Sequence, residues 1–276
     1  MSSVSSLHGG VLTTPDSCRL AYVSEGAGPT VVFAHGGLTR GSSWIGVTAL
    51  LRDTFTCVMV DQRAHGASDW GGGPQLERAV DDLLFVIDRV GPVHAVVGHS
   101  YGALVALEAA RVATSEQIPL LAVYEPPLSL DGPIMDRDRL QQISAAVATG
   151  DFEAALRLHL ESSIGGLSPA EADELATNPM LRSAYAELVV QAPSIAPALE
   201  TVIGLDDAEP YRKIEVPTLL LLGSASVDIP FGRAVDALHD AIPQSDVAVL
   251  DGQTHMATLF APHLVADELR RFLTAA

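Results

Sequence analysis

Residues 93–113 place a single hydroxyl between two glycines. The segment reads VHAVVGHSYGALVALEAARVA, so Ser100 lies at the centre of Gly98-His99-Ser100-Tyr101-Gly102. An apolar run typical of a strand precedes this pentapeptide, and a helical pattern follows it. A sharp turn from strand to helix exposes its central side chain, and the flanking glycines let neighbouring backbone approach without a Cβ clash. The pattern predicts that Ser100 is a nucleophile.

A nucleophilic serine needs a group that takes up its proton near neutral pH, and histidine has a suitable pKa. His255 lies in GQTH (252–255), directly after the last apolar segment. If the segments before Ser100 and His255 are parallel strands, both residues lie at the carboxyl end of the sheet, where ligands bind. We expect His99 to point away from this site into packing, and His159 to be a surface or helix residue. No histidine pair has the spacing of a metal site, so we predict no metal.

The elements that must position these residues alternate short β-branched runs with amphipathic stretches. The pattern predicts an antiparallel hairpin within 9–25 and strands at 30–35, 55–61, 93–99, 119–125, 217–223 and 246–252. It predicts helices at about 76–90, 101–114, 232–241 and 261–274. The expected fold class is therefore α/β, with a mostly parallel central sheet flanked by helices.

The segment from Pro126 to Pro210 shows no strand pattern and is helical throughout. It contains the amphipathic stretch GDFEAALRLHLESS, and in SPAEADELA we expect Ser168 to cap a helix that has Pro169 at its first position. A helical insert of this size between two strands predicts a cap over one end of the sheet. We therefore expect a core of residues 1–125 and 211–276 and a helical cap, or lid, of residues 126–210.

With these segments in place, the chain resembles the α/β-hydrolase fold family over nearly its whole length. The supporting segments are HGG (35–37), DQRAHGASD (61–69), the GHSYG turn and GQTH. Members with the pattern D-x-R-G-x-G-x-S carry glycine where this chain has Ala64, a departure that affects a turn and not the chemistry.

The resemblance implies roles for the residues at the matching positions. Ser100 corresponds to the nucleophile and His255 to its general base. The amides of Tyr101 and Gly37, and less directly that of Leu38, correspond to the oxyanion hole. The helix that begins at Tyr101 would direct its N-terminal amides at the same point.

A third group should orient the histidine, and two carboxylates compete for this role. The family usually places the acid after the penultimate strand in G-x-x-D, but here GSASVDIP puts Ser226 in that position and Asp228 two residues later. Glu125 in LLAVYEPPL ends the strand that follows the helix beginning at Tyr101, where some relatives keep their acid. A carboxylate at the end of so apolar a run would be costly to bury unpaired. We favour Glu125, and Asp228 stays open.

Composition limits the classes of partner. The 276-residue chain has 16 basic and 34 acidic residues, a formal net charge of −18. Such a surface repels phosphate backbones and anionic lipids, so we predict no nucleic-acid and no membrane partner. The start MSSVSSLHGG lacks the features of a signal peptide, and no apolar run reaches the length of a membrane span. We expect a cytoplasmic protein in which Cys18 and Cys57 are reduced thiols.

The leading functional hypothesis is an esterase-like serine hydrolase that uses no cofactor. It would cleave a small or medium-sized carboxylic ester, lactone or thioester with an apolar part, through an acyl-enzyme on Ser100. A serine nucleophile argues against relatives that form alkyl-enzyme esters, such as haloalkane dehalogenases and epoxide hydrolases. The same fold also supports C–C bond hydrolases, acyltransferases, cofactor-free haloperoxidase-like enzymes and non-catalytic ligand-binding modules. These alternatives, and a homodimer, stay open.

Overall fold

The structure, a computed structural model, describes residues 7–130, 134–162, 177, 179, 182–203 and 205–275. Its sheet has eight strands in the order β1-β2-β4-β3-β5-β6-β7-β8. The strands are β1 His8–Thr13, β2 Arg19–Gly26, β3 Thr30–Ala34, β4 Thr56–Val60, β5 Val93–His99, β6 Leu121–Tyr124, β7 Thr218–Gly223 and β8 Ser245–Leu250. The hairpin β1–β2 and the β2–β4 pair are antiparallel, and the other pairs are parallel. The predicted α/β fold class is confirmed.

Helices cover both faces of the sheet, which is why its central strands are continuously apolar. The helices are α1 Ile45–Leu51, α2 Leu76–Val90, α3 Tyr101–Val112, α4 Arg137–Thr149, α5 Phe152–Leu160, α6 Arg182–Gln191, α7 Ile195–Ile203, α8 Pro230–Ala241, α9 Ala257–Phe260 and α10 Pro262–Ala275. Successive residues of a strand point to opposite faces. In β3, Val32 therefore packs in the cluster that includes α2, α3 and α8, whereas Val31 and Phe33 pack with α1 and α10.

Between β6 and β7 the described residues form helices α4–α7 and no strand. We call residues 126–210 the cap segment. Ser129 near its start joins residues near its end, because its amide donates to the carbonyl of Leu205 at 2.7 Å and its hydroxyl to the carbonyl of Val202 at 3.2 Å. The amphipathic stretch forms α5, and the helix start predicted at Ser168 lies outside the described residues.

A polar junction holds the turn between α6 and α7 against the loop that follows β4. The amide of Gly66 donates to the side-chain oxygen of Gln191 at 3.1 Å, and Ser194 Oγ lies 3.0 Å from His65 Nε2. His65 and Ser194 are both buried. Because buried polar groups keep their partners, this junction ties the turn between α6 and α7 to the loop that follows β4.

The cysteines and the length of the helices bear on two further expectations. Cys18 and Cys57 are free thiols in the structure, and burial raises the pKa of Cys57 to about 12. Among the helices that the structure describes, none combines the length and the apolar character needed to cross a membrane.

Candidate active site

Ser100 forms the turn between a strand and a helix by itself. Strand β5 ends at His99, helix α3 begins at Tyr101, and Ser100 between them has φ 53° and ψ −121°. This region of backbone space costs a residue with a side chain about 1–3 kcal/mol, and it persists only where neighbours hold it. The amide of Ser100 donates to the carbonyl of Tyr124 at 2.9 Å, and its carbonyl accepts from the amide of Ala103 at 2.9 Å. The serine is thus held in a strained conformation at the edge of the sheet.

The glycines around Ser100 are required by close backbone contacts. A Cβ on Gly98 would lie 2.4 Å from the carbonyl oxygen of Gly102, and a Cβ on Gly102 would lie 2.4 Å from the carbonyl oxygens of Ala34 and His35. The HGG loop also comes close, although less so, since a Cβ on residue 36 would lie 3.2 Å from Ser100 Cβ. The loop after β3 therefore runs directly beside the serine.

A buried carboxylate binds the predicted general base. Glu125 follows β6 and is fully buried; its Oε2 lies 2.7 Å from Nδ1 of His255, and its Oε1 accepts from the amide of Gly223 at 2.8 Å. This contact requires a proton on Nδ1 of His255, which leaves Nε2 as the acceptor that faces away from the acid. Glu125 itself has a positive φ of 46°, a second strained residue at this edge.

The ring of His255 packs against two other aromatic rings. It stacks on Phe231 at a centroid distance of 4.2 Å and packs against His99 at 4.6 Å. His99 Nε2 lies 2.9 Å from the carbonyl oxygen of His255, and the hydroxyl of Tyr124 donates to the carbonyl of Thr254. The expectation that His99 points away from the site is wrong. It ends β5 at the sheet edge, where the loop that carries His255 folds back over it.

The alternative acid does not contact the histidine. Asp228 is exposed in the turn before α8, and among the described residues it makes no contact with His255. The preceding 3₁₀ turn, Ser224–Ser226, is fixed by a bond from the amide of Ala225 to the carbonyl of Gln253 at 3.0 Å, which leaves the following residues on the surface. Of the two candidate acids, Glu125 contacts His255 and Asp228 does not.

The residues expected to form an oxyanion hole line the same cavity as Ser100. Gly37, Leu38 and Tyr101 all border it. The amides of Gly37 and Tyr101 have no hydrogen-bond acceptor among the described residues. Tyr101 is also the first residue of α3, and the N-terminus of a helix favours negative charge. These amides can therefore stabilise an oxyanion that forms beside Ser100.

The cavity is bounded below by the sheet edge and above by the cap segment. Ser100, His99 and His255 lie on its floor, and its cap side is largely aliphatic, formed by Pro127, His159, Leu160, Leu188, Ile195, Ala198, Leu199 and Val202. His159 was expected to be a surface or helix residue; it lies in helix α5, and sequence reasoning missed that its side chain lines this cavity. Burial, and to a lesser extent His255, lower the pKa of His159 to about 4. Within the described part of the chain, no group of three His, Cys, Asp or Glu side chains could hold a metal ion.

Comparisons with known proteins agree with this architecture. The family model described as Alpha/beta hydrolase family matches residues 31–268. A 2-(acetamidomethylene)succinate hydrolase of Mesorhizobium japonicum is 27% identical over 259 residues, which cover 91% of this chain and 90% of that protein. A pimeloyl-[acyl-carrier protein] methyl ester esterase of Methylococcus capsulatus is 30% identical over 262 residues, covering 92% and 98%. The crystal structure of an alpha/beta hydrolase from Sphaerobacter thermophilus superposes with a TM-score of 0.83 at 27% identity, covering 95% and 99% of the two chains. The chain therefore belongs to the alpha/beta hydrolase family.

Proposed function

We propose that this protein is a serine hydrolase that cleaves a small or medium-sized carboxylic ester, lactone or thioester through an acyl-enzyme on Ser100. One observation carries the proposal: the buried Glu125 contacts Nδ1 of His255 at 2.7 Å, and His255 lines the same cavity as the strained Ser100. A nucleophile, a base and an acid that orients the base are the parts that acyl transfer requires.

In the acylation step, Ser100 Oγ attacks the substrate carbonyl and Nε2 of His255 takes the hydroxyl proton. The imidazolium that forms is stabilised by the carboxylate of Glu125 on its other nitrogen. The carbonyl oxygen becomes an oxyanion, which the amides of Gly37 and Tyr101 stabilise. An oxyanion donor of this kind contributes about 2.7–4 kcal/mol to lowering the barrier.

His255 then returns its proton to the departing alcohol or thiol, and the acyl group stays on Ser100. Water enters in place of the leaving group and gives its proton to Nε2 of His255 as it attacks the acyl carbonyl. Collapse of the second oxyanion releases the acid and returns the proton to Ser100. The same residues therefore serve both halves of the reaction, and no cofactor is needed to balance it.

The cavity supports a substrate with an apolar part. Its described cap wall is aliphatic apart from His159, and none of its described lining residues is Lys or Arg. Burying aliphatic surface of the substrate against this wall contributes about 25 cal/mol for each Å² removed from water. The two relatives described above are named for a succinate derivative and for a carrier-protein ester. Both names describe hydrolysis, but the named substrates differ.

The test is intact-mass analysis after treatment with a fluorophosphonate probe, together with hydrolysis of p-nitrophenyl butyrate. The wild-type protein should gain one adduct, and Ser100→Ala should gain none and lose hydrolysis. Ser226→Ala is the matched control, because Ser226 is a buried serine at the same edge that has no proposed role. An unlabelled wild type, or an adduct that persists in Ser100→Ala, would overturn the proposal.

A further inference from the structure

The cap wall of the cavity contains one side chain that can form hydrogen bonds. Helix α5 contributes His159 and Leu160 to this wall, and the remaining described cap residues that line it are aliphatic or proline. His159 is partly buried, and its Nδ1 is fully buried without a hydrogen-bond partner among the described residues. A buried polar atom without a partner is uncommon in proteins, because its lost contact with water is not replaced.

The ring is uncharged at neutral pH. Burial is the main reason that the pKa of His159 is about 4, and the nearby His255 lowers it further. A neutral imidazole offers one N–H donor and one acceptor nitrogen. An aliphatic residue at position 159 would line the cavity without an unpaired polar atom, so the histidine is placed to bind a polar group that a ligand brings.

The position of that polar group follows from the neighbouring residues. His159, His255 and Ser100 line one cavity, so a ligand group that bonds to His159 occupies the same cavity as the bond that Ser100 would attack. In the proposed reaction His255 becomes an imidazolium, and a second cation on His159 would oppose this step. The described residues that line this cavity also include no Lys or Arg to neutralise an anion, and Arg40 lines only the adjoining cavity. These features favour an uncharged ligand group as the hydrogen-bond partner of His159.

We propose that His159 is a specificity-determining residue that donates a hydrogen bond to a second, uncharged oxygen of the substrate, next to the scissile carbonyl. The substrates are then neutral esters or lactones that carry an oxo or acylamino group near the reacting carbonyl. This inference rests on the proposed function, because the scissile carbonyl is defined by the attack of Ser100.

The experiment measures binding in the Ser100→Ala background, where no turnover is expected. Isothermal titration calorimetry compares ethyl 3-oxohexanoate with ethyl hexanoate, two esters of equal chain length that differ by one oxo group, and with the anionic monoethyl adipate. We expect the oxo ester to bind about 2- to 10-fold more tightly than the plain ester, the ratio that one neutral hydrogen bond supplies. Adding His159→Leu should abolish this preference without weakening the binding of the plain ester, and His159→Gln should keep much of the preference. His239→Leu, a change on helix α8 outside the cavity, is the matched control.

Several results would overturn the role of His159. They are an unchanged preference in His159→Leu, an equal loss for both neutral esters, tightest binding of monoethyl adipate, or no binding of either neutral ester. The readout is independent of the fluorophosphonate test of hydrolysis. A labelled wild type without the oxo-ester preference refutes only the role of His159, whereas an intact preference in a protein that is never labelled overturns the hydrolase proposal and leaves His159 as a ligand-binding residue without a scissile bond beside it.

Discussion

Replacing Glu125 by glutamine removes a charge at the centre of the site and changes little else. Gln is nearly the same shape and still offers an oxygen to the amide of Gly223, which donates to Glu125 Oε1 at 2.8 Å. What is lost is the negative charge that lies 2.7 Å from Nδ1 of His255. In the proposed reaction the imidazolium exists only as the proton moves from Ser100, so this loss should fall on the transition state and not on substrate binding.

The size of the effect follows from the geometry. Two unit charges about 4 Å apart attract by about 4 kcal/mol at the effective dielectric constant of about 20 that suits such sites. At 1.36 kcal/mol per decade, this is about a 10³-fold loss of kcat. The glutamine NH₂ group also competes for Nδ1 and favours the wrong tautomer of His255, which acts in the same direction.

The assay is steady-state hydrolysis of p-nitrophenyl butyrate by Glu125→Gln, with kcat and KM measured separately and folding checked by thermal denaturation. Asp228→Asn is the matched control, because Asp228 is exposed and makes no described contact with His255. The reasoning is refuted if a folded Glu125→Gln protein keeps more than about one tenth of kcat, since a deficit that small is about 1.4 kcal/mol. An equal loss in Asp228→Asn would refute the assignment of the acid.

Three further predictions concern groups around the site. His99→Leu removes the donor to the carbonyl of His255 and should lower kcat about 10-fold at unchanged KM, with partial recovery in His99→Gln; unchanged kcat would contradict this positioning role. Gly98→Ala puts a Cβ 2.4 Å from a carbonyl oxygen and should lower the free energy of unfolding by at least about 1–3 kcal/mol in denaturant titrations, whereas Gly9→Ala, whose nearest atom is at 3.9 Å, should not. Burial lowers the folded-state pKa of His35, His65 and His99. The free energy of unfolding should therefore be at its full value above pH ~6.5, and below this pH each of these histidines should lower it by roughly 1.4 kcal/mol per pH unit. Denaturation midpoints that stay equal at pH 8 and pH 5.5 would contradict the last prediction.

The strands and the turn at Ser100 could be predicted from local sequence because each is specified by adjacent residues. The strand predicted at 93–99 is found as β5, and the helix predicted from residue 101 begins at Tyr101. A continuous apolar run that ends in a serine flanked by two glycines predicts a strand followed by a tight turn, and the structure shows that a Cβ at Gly98 or Gly102 would meet backbone oxygen at 2.4 Å. Short helices such as α1 and α9 were not predicted, because seven and four residues are too few for a periodic pattern.

The acid could not be decided from the sequence because the choice depends on which strand end faces the histidine loop. Strand β6 lies between β5 and β7 in the sheet, so the residue after it is next to both Ser100 and Gly223. That adjacency is a property of strand order, which sequence spacing does not reveal.

His159 was missed although the sequence held a signal for it. In α5 the buried residues Ala155, Leu156 and Leu160 share one face with Phe152, at the i, i+3, i+4, i+7 and i+8 positions of a helix, and His159 falls on this same face. A histidine on an apolar face must lose its contact with water when the helix packs, which is unfavourable unless another group replaces that contact. The structure provides no such group among its described residues, since Nδ1 of His159 is unpaired. His159, a polar residue that interrupts the apolar face of a cap helix, is therefore better interpreted as a contact for the ligand than as a surface residue.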